Sequence, residues 1–159
     1  KANELSPNKQ SIIFELAVNY LNIGKNKEAV DILDKAYQSA TDNPIAKTTY
    51  VTALVTAGED AKAKQIFGDD PEVFTDPRVI NAYVLSKQYD KAIALFKQIL
   101  VKDPDNQETY SSLAYVYLLN KQDYQAIELL KKAKERFPLI KSQVDDAIKQ
   151  IEEGKFRTP

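Results

Sequence analysis

The strongest constraint on the fold is an interval that recurs along the chain. Four short polar segments, Gly24-Lys25-Asn26-Lys27-Glu28-Ala29, Gly58-Glu59-Asp60-Ala61-Lys62-Ala63, Ser86-Lys87-Gln88-Tyr89-Asp90-Lys91-Ala92 and Asn120-Lys121-Gln122-Asp123-Tyr124-Gln125-Ala126, each join two stretches rich in apolar residues. Their closing alanines, Ala29, Ala63, Ala92 and Ala126, stand 34, 29 and 34 residues apart. A period of this size marks a stack of supersecondary units, each burying its neighbour's apolar face.

The stretches on either side have helical spacing. Tyr110, Leu113, Ala114 and Tyr117 follow an i, i+3, i+4, i+7 pattern, and Ala126, Ile127, Leu130 and Ala133 repeat it, which predicts two amphipathic helices joined by a short turn. Ser6-Pro7, Asn43-Pro44, Asp76-Pro77 and Asp103-Pro104 set a capping-type residue before a proline, whose fixed φ and missing N–H suit a helix start. Asp105 with Glu108 reads as a capping box. Gly68-Asp69-Asp70-Pro71 is expected to stop a helix near Phe67. Strand signals are weak throughout.

These residues resemble the tetratricopeptide repeat, a helix-turn-helix unit of about 34 residues. Residues 107–140 carry its pattern at Tyr110, Leu113, Ala114, Tyr117, Ala126, Leu130, Ala133 and Pro138. Residues 10–43 carry it at Ile13, Leu16, Ala17, Tyr20, Ala29, Leu33 and Ala36, with Thr41 in place of the final proline. Residues 73–106 keep Val79, Tyr83, Ala92, Phe96 and Pro104 and depart at Asp76 and Ile80. The second repeat, 44–72, is degenerate: it keeps Leu54, Ala63 and Phe67 but puts Lys47, Val51 and Asp70 at pattern positions and is five residues short. Ser142–Glu153, with Val144, Ala147, Ile148 and Ile151 on one face, is similar to the solvating helix that closes such arrays.

The resemblance implies an all-α chain forming a right-handed superhelical solenoid of about four helix pairs. It would be a single domain over 1–159, with repeats at about 7–43, 44–72, 73–106 and 107–140 and a capping helix at 141–154. Ala17 against Ala29 and Ala114 against Ala126 would let paired helices approach closely. Tyr20, Tyr83, Tyr117 and Phe96 are expected to fill seams between helices.

It further implies a concave groove lined by the first helix of each pair. Carried over by position, the lining falls on Ser11, Phe14, Val18, Leu21 and Asn22, then on Ile45, Thr48, Thr52, Val55 and Thr56. The third repeat supplies Phe74, Pro77, Asn81, Val84 and Leu85, and the fourth Glu108, Ser111, Tyr115, Leu118 and Leu119. That set is nearly uncharged. It lacks the Lys and Arg with which family members hold a terminal carboxylate, and it suits an apolar or amphipathic segment of another protein. The alternatives are that Phe14, Val18 and Leu21 are covered by the chain's own termini or by a second copy, which would make the chain a self-assembling structural module. Ser6–Gly24 is similar to repeat domains appended to bacterial O-antigen-ligase-like or envelope assembly proteins.

Composition narrows the chemistry. The chain has 22 basic and 23 acidic residues and a net charge of −1, which argues against nucleic acid, whose binding needs clustered Lys and Arg. Cys and His are absent, removing the usual zinc, haem and thiol chemistries and imidazole catalysis. The four glycines are isolated, so no phosphate loop exists. Asp103 to Glu108 lacks the glycine and terminal Glu of a calcium loop. Lys131, Lys132, Lys134 and Arg136 are read as a solvated helix end meeting the dipole. No cofactor, metal or enzymatic role is expected. No apolar run reaches the roughly 18 to 20 residues that cross a bilayer, and without Met the chain is expected to be part of a longer gene product.

Overall fold

A computed structural model describes residues 7–37 and 44–155, the side chains from Ile12 onward. Among the described residues there are ten α-helices and one 3-10 turn, and no strand. The chain divides into two compact units at Lys87–Gln88, which falls between the two helices of the third pair.

The first unit holds α1 (Pro7–Asn22), α2 (Asn26–Tyr37), α3 (Pro44–Thr56), α4 (Asp60–Phe67), α5 (Pro71–Phe74) and α6 (Pro77–Leu85). Helix α1 packs on α2 with Ala17 and Ala29 both fully buried. Alanine at such positions keeps side-chain bulk out of the seam and lets two helices close to the near end of the usual interaxial range. The turn between them is set by Gly24, whose φ of 76° lies in the left-handed region. Gly24 N–H donates to the Leu21 carbonyl at 3.0 Å and Lys25 N–H to that of Tyr20 at 2.8 Å, the paired bonds that satisfy a helix C-terminus. The same geometry recurs in the second unit with a non-glycine residue, Lys121, at φ 56°.

The core of this unit is filled by Leu33, Tyr50, Val51, Leu54, Val55 and Val79, all essentially enclosed. Burying one such side chain stabilises by roughly 1.5 to 3 kcal/mol. Three rings close the space between α2, α3 and α4: Tyr37, Tyr50 and Phe67 meet pairwise with centroids 5.2 to 5.9 Å apart, tilted or edge-on. Outside them Lys62 of α4 reaches Asp34 of α2 at 2.6 Å.

Helix α4 ends at Phe67, where Gly68 donates its N–H to Lys64. Asp70-Pro71, expected only to terminate, in fact begins α5: the Asp70 carboxylate accepts from Glu72 N–H at 3.0 Å and Pro71 occupies the first helical position. Six residues later Asp76 caps α6 in the same manner, accepting from Arg78 N–H at 2.9 Å. The Ser6-Pro7 and Asn43-Pro44 signals and Thr41 include residues outside those described.

The second unit holds α7 (Tyr89–Lys102), α8 (Gln107–Leu119), α9 (Asp123–Arg136), the 3-10 turn Pro138–Ile140 and α10 (Lys141–Glu152). Leu113, Ala114, Tyr117, Ala126 and Ala133 make the buried seam of α8 with α9, and Val144, Ile148 and Ile151 bury the inner face of α10. Two start signals are corrected here. Asp103-Pro104 lies in the turn after α7, and Asn106 is the cap of α8, accepting from Thr109 N–H at 3.0 Å. Asp105 is thereby free of capping and pairs with Arg136 at 2.6 Å. The basic end of α9 is likewise paired: Lys131 reaches Glu128, and Lys134 reaches Asp145 of α10.

Of the four aromatic seam residues, Tyr83 and Tyr117 are buried, while Tyr20 and Phe96 are half-buried. Lys25 lies over the Tyr20 ring, and Lys97 over that of Tyr117, at 5.8 and 5.7 Å from the centroids.

Candidate functional site

In the first unit the faces of α1, α3 and α6 enclose a groove of about 330 Å³. Each helix contributes residues at turn spacing: Val18, Leu21 and Asn22 from α1, Thr49, Thr52 and Thr56 from α3, and Arg78, Asn81, Ala82 and Leu85 from α6. Val18 and Leu85 are the exposed apolar lips, at 43% and 74% exposure.

The threonine wall has a defined polarity. Thr52 donates its hydroxyl to the Thr48 carbonyl and Thr56 to that of Thr52, both at 2.7 Å. Thr48 turns its own hydroxyl to the Pro44 and Ile45 carbonyls, 3.1 and 3.2 Å away. Each of these hydroxyl protons is thus spent on the preceding turn, and the Thr52 and Thr56 oxygens keep their lone pairs.

One full charge lines this groove. Arg78 sits between Asp76 and Thr48: Nε and Nη2 donate to the Asp76 carboxylate at 2.9 and 2.8 Å, and Nη2 also donates to Thr48 Oγ1 at 2.7 Å. The guanidinium holds the Asp76 carboxyl below its ordinary value and the carboxylate in turn raises Arg78, so the pair remains ionised. Deeper in the unit, burial pushes the Tyr83 phenol above its ordinary value near 10, helped by the Asp60 carboxylate that accepts its hydrogen bond.

The expected lining residues separate into two groups. Val18, Leu21, Asn22, Thr52, Thr56, Asn81 and Leu85 do meet in the groove. Thr48 and Val55 are buried, Val55 completely, because α3 is enclosed by α2 and α6 on those faces. Phe74 is also buried, and Phe14 and Val84 are half-buried outside the lining. The side chain of Ser11 lies outside the described residues. Thr49, Arg78 and Ala82 were missed, and Arg78 corrects the expectation of a wall without Lys or Arg. Its signal was available, since 78, 81 and 85 lie on one helical stripe.

In the second unit Ser111, Tyr115 and Leu118 of α8 line a groove of about 240 Å³, whose opposite wall is Val144, Ala147 and Ile151 of α10. Leu119 is half-buried outside it, and Glu108 points to solvent. Helix α10, expected to act as a cap, is therefore also a lining element. Among the described residues no three carboxylates come together to hold a metal ion, and no helix is long and apolar enough to cross a membrane.

Residues 83–151 match the tetratricopeptide repeat family. No protein of curated function matches the chain by sequence. Among solved structures, PilF of Pseudomonas aeruginosa aligns over 92% of this chain and 68% of its own length, with 17% identity and a TM-score of 0.53. MamA of AMB-1 aligns over 92% and 82%, with 20% identity and a TM-score of 0.51. A Podosopora anserina protein with nearly identical TPR-like repeats aligns over 96% and 99%, with 16% identity and a TM-score of 0.53. At these identities the likeness is one of fold: an all-helical repeat array of the tetratricopeptide type.

Proposed function

For a chain built of tetratricopeptide-type helix pairs, a fold that generally mediates contacts between proteins, we propose that the groove of the first unit binds an apolar or amphipathic segment of another protein. The observation that carries this reading is the lining itself: Val18, Leu21 and Leu85 form apolar lips, and the one ion among the lining residues, Arg78, is held by Asp76 and Thr48. Three hydrogen bonds hold the guanidinium in place, and the Asp76 carboxylate beside it offsets its charge. Asn22 and Asn81 supply amides that satisfy a peptide backbone, and the Thr52 and Thr56 oxygens accept from its N–H groups. The chain acts here as a scaffold, with no catalytic role.

Selection from a displayed library of random peptides tests this directly. Apolar, weakly charged winners are expected, with affinities nearly constant from low to high salt. Val18→Glu and Leu85→Glu, both at exposed positions, should abolish capture without lowering the unfolding temperature. An acidic consensus, or steep weakening with salt, rejects the reading. Growth of the particle with concentration and no added partner points to the alternative, self-assembly through the groove or the ends.

A further inference from the structure

Two acceptors stand open in the groove of the first unit. Thr52 and Thr56 give their hydroxyl protons to the carbonyls of Thr48 and Thr52, and among the described residues none donates to either oxygen in return. Thr48, which would extend the row by one turn, already accepts from Arg78 Nη2 at 2.7 Å. The open row is therefore two oxygens long. Because α3 packs on both α1 and α6, it lies between Val18 and Leu21 of α1 and Ala82 and Leu85 of α6. Four residues separate the two threonines on one helical stripe, which sets their oxygens about 6 Å apart along the axis.

That spacing selects a backbone conformation. In an extended chain every second N–H leaves the same edge, about 6.6 to 6.8 Å apart, and the small excess over a single interval falls within the range of hydrogen-bond lengths. A helix has no such row to offer, because past its first turn each N–H is bonded to a carbonyl of its own. Given a groove that binds a peptide, as proposed above, the geometry points to an extended segment of a partner protein as the occupant, lying edge-on along α3. The N–H groups of its residues i and i+2 sit on the Thr52 and Thr56 oxygens, and the N–H of residue i+1 leaves the opposite edge toward solvent. Its side chains alternate between the two flanking walls, meeting Val18 and Leu21 on one side and Ala82 and Leu85 on the other, so an apolar residue is favoured in both registers.

The test uses the tightest-binding peptide selected on the chain from the displayed random library. It is resynthesised as a series in which one backbone N–H at a time is replaced by oxygen, which removes a donor and keeps the side chain. Two positions, two residues apart, should each lose roughly three- to tenfold in affinity, while the position between them loses little. Thr52→Val should cancel the loss at one of the two and Thr56→Val the loss at the other, a coupling that general damage to the fold would not reproduce. A cross-link between residues i and i+4 that locks the peptide as a helix should abolish binding. Capture of no peptide, or an acidic consensus, removes the peptide site itself and the extended occupant with it. Apolar peptides that bind without the alternating loss, or more tightly once locked as helices, leave the peptide site standing and overturn the extended occupant alone. Alternating losses that persist in both valine variants overturn it as well, by placing the acceptors elsewhere.

Discussion

Arg78 Nη2 donates to Thr48 Oγ1 at 2.7 Å, a hydrogen bond that ties α6 to α3 across thirty residues of sequence. It depends on Asp76, which caps α6 through one oxygen and steadies the guanidinium through both. Asp76→Ala therefore removes a helix cap and frees the arginine, and should cost about 1 kcal/mol, a fall of roughly 2 to 4 °C in the unfolding midpoint.

The same carboxylate gives a pH signature. Its folded pKa lies below the unfolded one, so its contribution is present above about pH 4 and is lost as pH falls through the lowered folded value. Asp76→Asn keeps a capping oxygen and loses the charge. Urea titrations should find the variant less stable near neutrality, with its deficit closing in acid.

Tyr83 behaves in the opposite sense. Its folded pKa is raised, so the contribution is complete below about pH 10 and fades as pH rises toward the folded value, because the unfolded phenol ionises first. Tyr83→Phe deprives Asp60 of a donor and should cost about 1 kcal/mol at neutral pH. It should also flatten part of the alkaline decline seen in unfolding curves.

Lys87 and Lys121 hold left-handed φ values of 58° and 56° at turns where the first two pairs use Gly24 and Gly58. A side chain there raises the energy of the folded state, and glycine relieves it at some cost in unfolded-chain entropy. Lys121→Gly is expected to gain roughly 0.5 to 1 kcal/mol by chemical denaturation, and Gly58→Lys to lose a similar amount.

Ala126 is fully buried where α9 meets α8, whereas Ala94 on α7 faces solvent. Ala126→Leu should overpack the seam by roughly 1 to 3 kcal/mol. Ala94→Leu should leave the unfolding midpoint almost unchanged, which separates steric crowding from any general effect of leucine.

These positions show what was legible in the sequence. Ala29 and Ala126 announced the helix pairs because close packing tolerates little else, and the period between them gave the fold. Dipeptides of one spelling were ambiguous. Asp76-Pro77 begins α6 and Asp70-Pro71 begins the unforeseen α5, but Asp103-Pro104 begins nothing, since Asn106 lies in the place from which a side chain can accept from Thr109 N–H. The groove was partly legible. Val18, Asn22, Thr52 and Leu85 followed from helical position, and Arg78, three residues before Asn81, was open to the same argument, while the enclosure of Val55 depends on α2 and α6 packing against α3.

The threonine ladder along α3 has a last implication. Where Thr52 and Thr56 turn their hydroxyl protons inward, the wall is a strip of partial negative charge, electron-rich without being ionic. Capping a captured strand's amide nitrogens with methyl groups should therefore weaken its hold, while esterifying its carboxylates should not. Selectivity of that kind would read the backbone of the visitor and pass over the charges on its side chains.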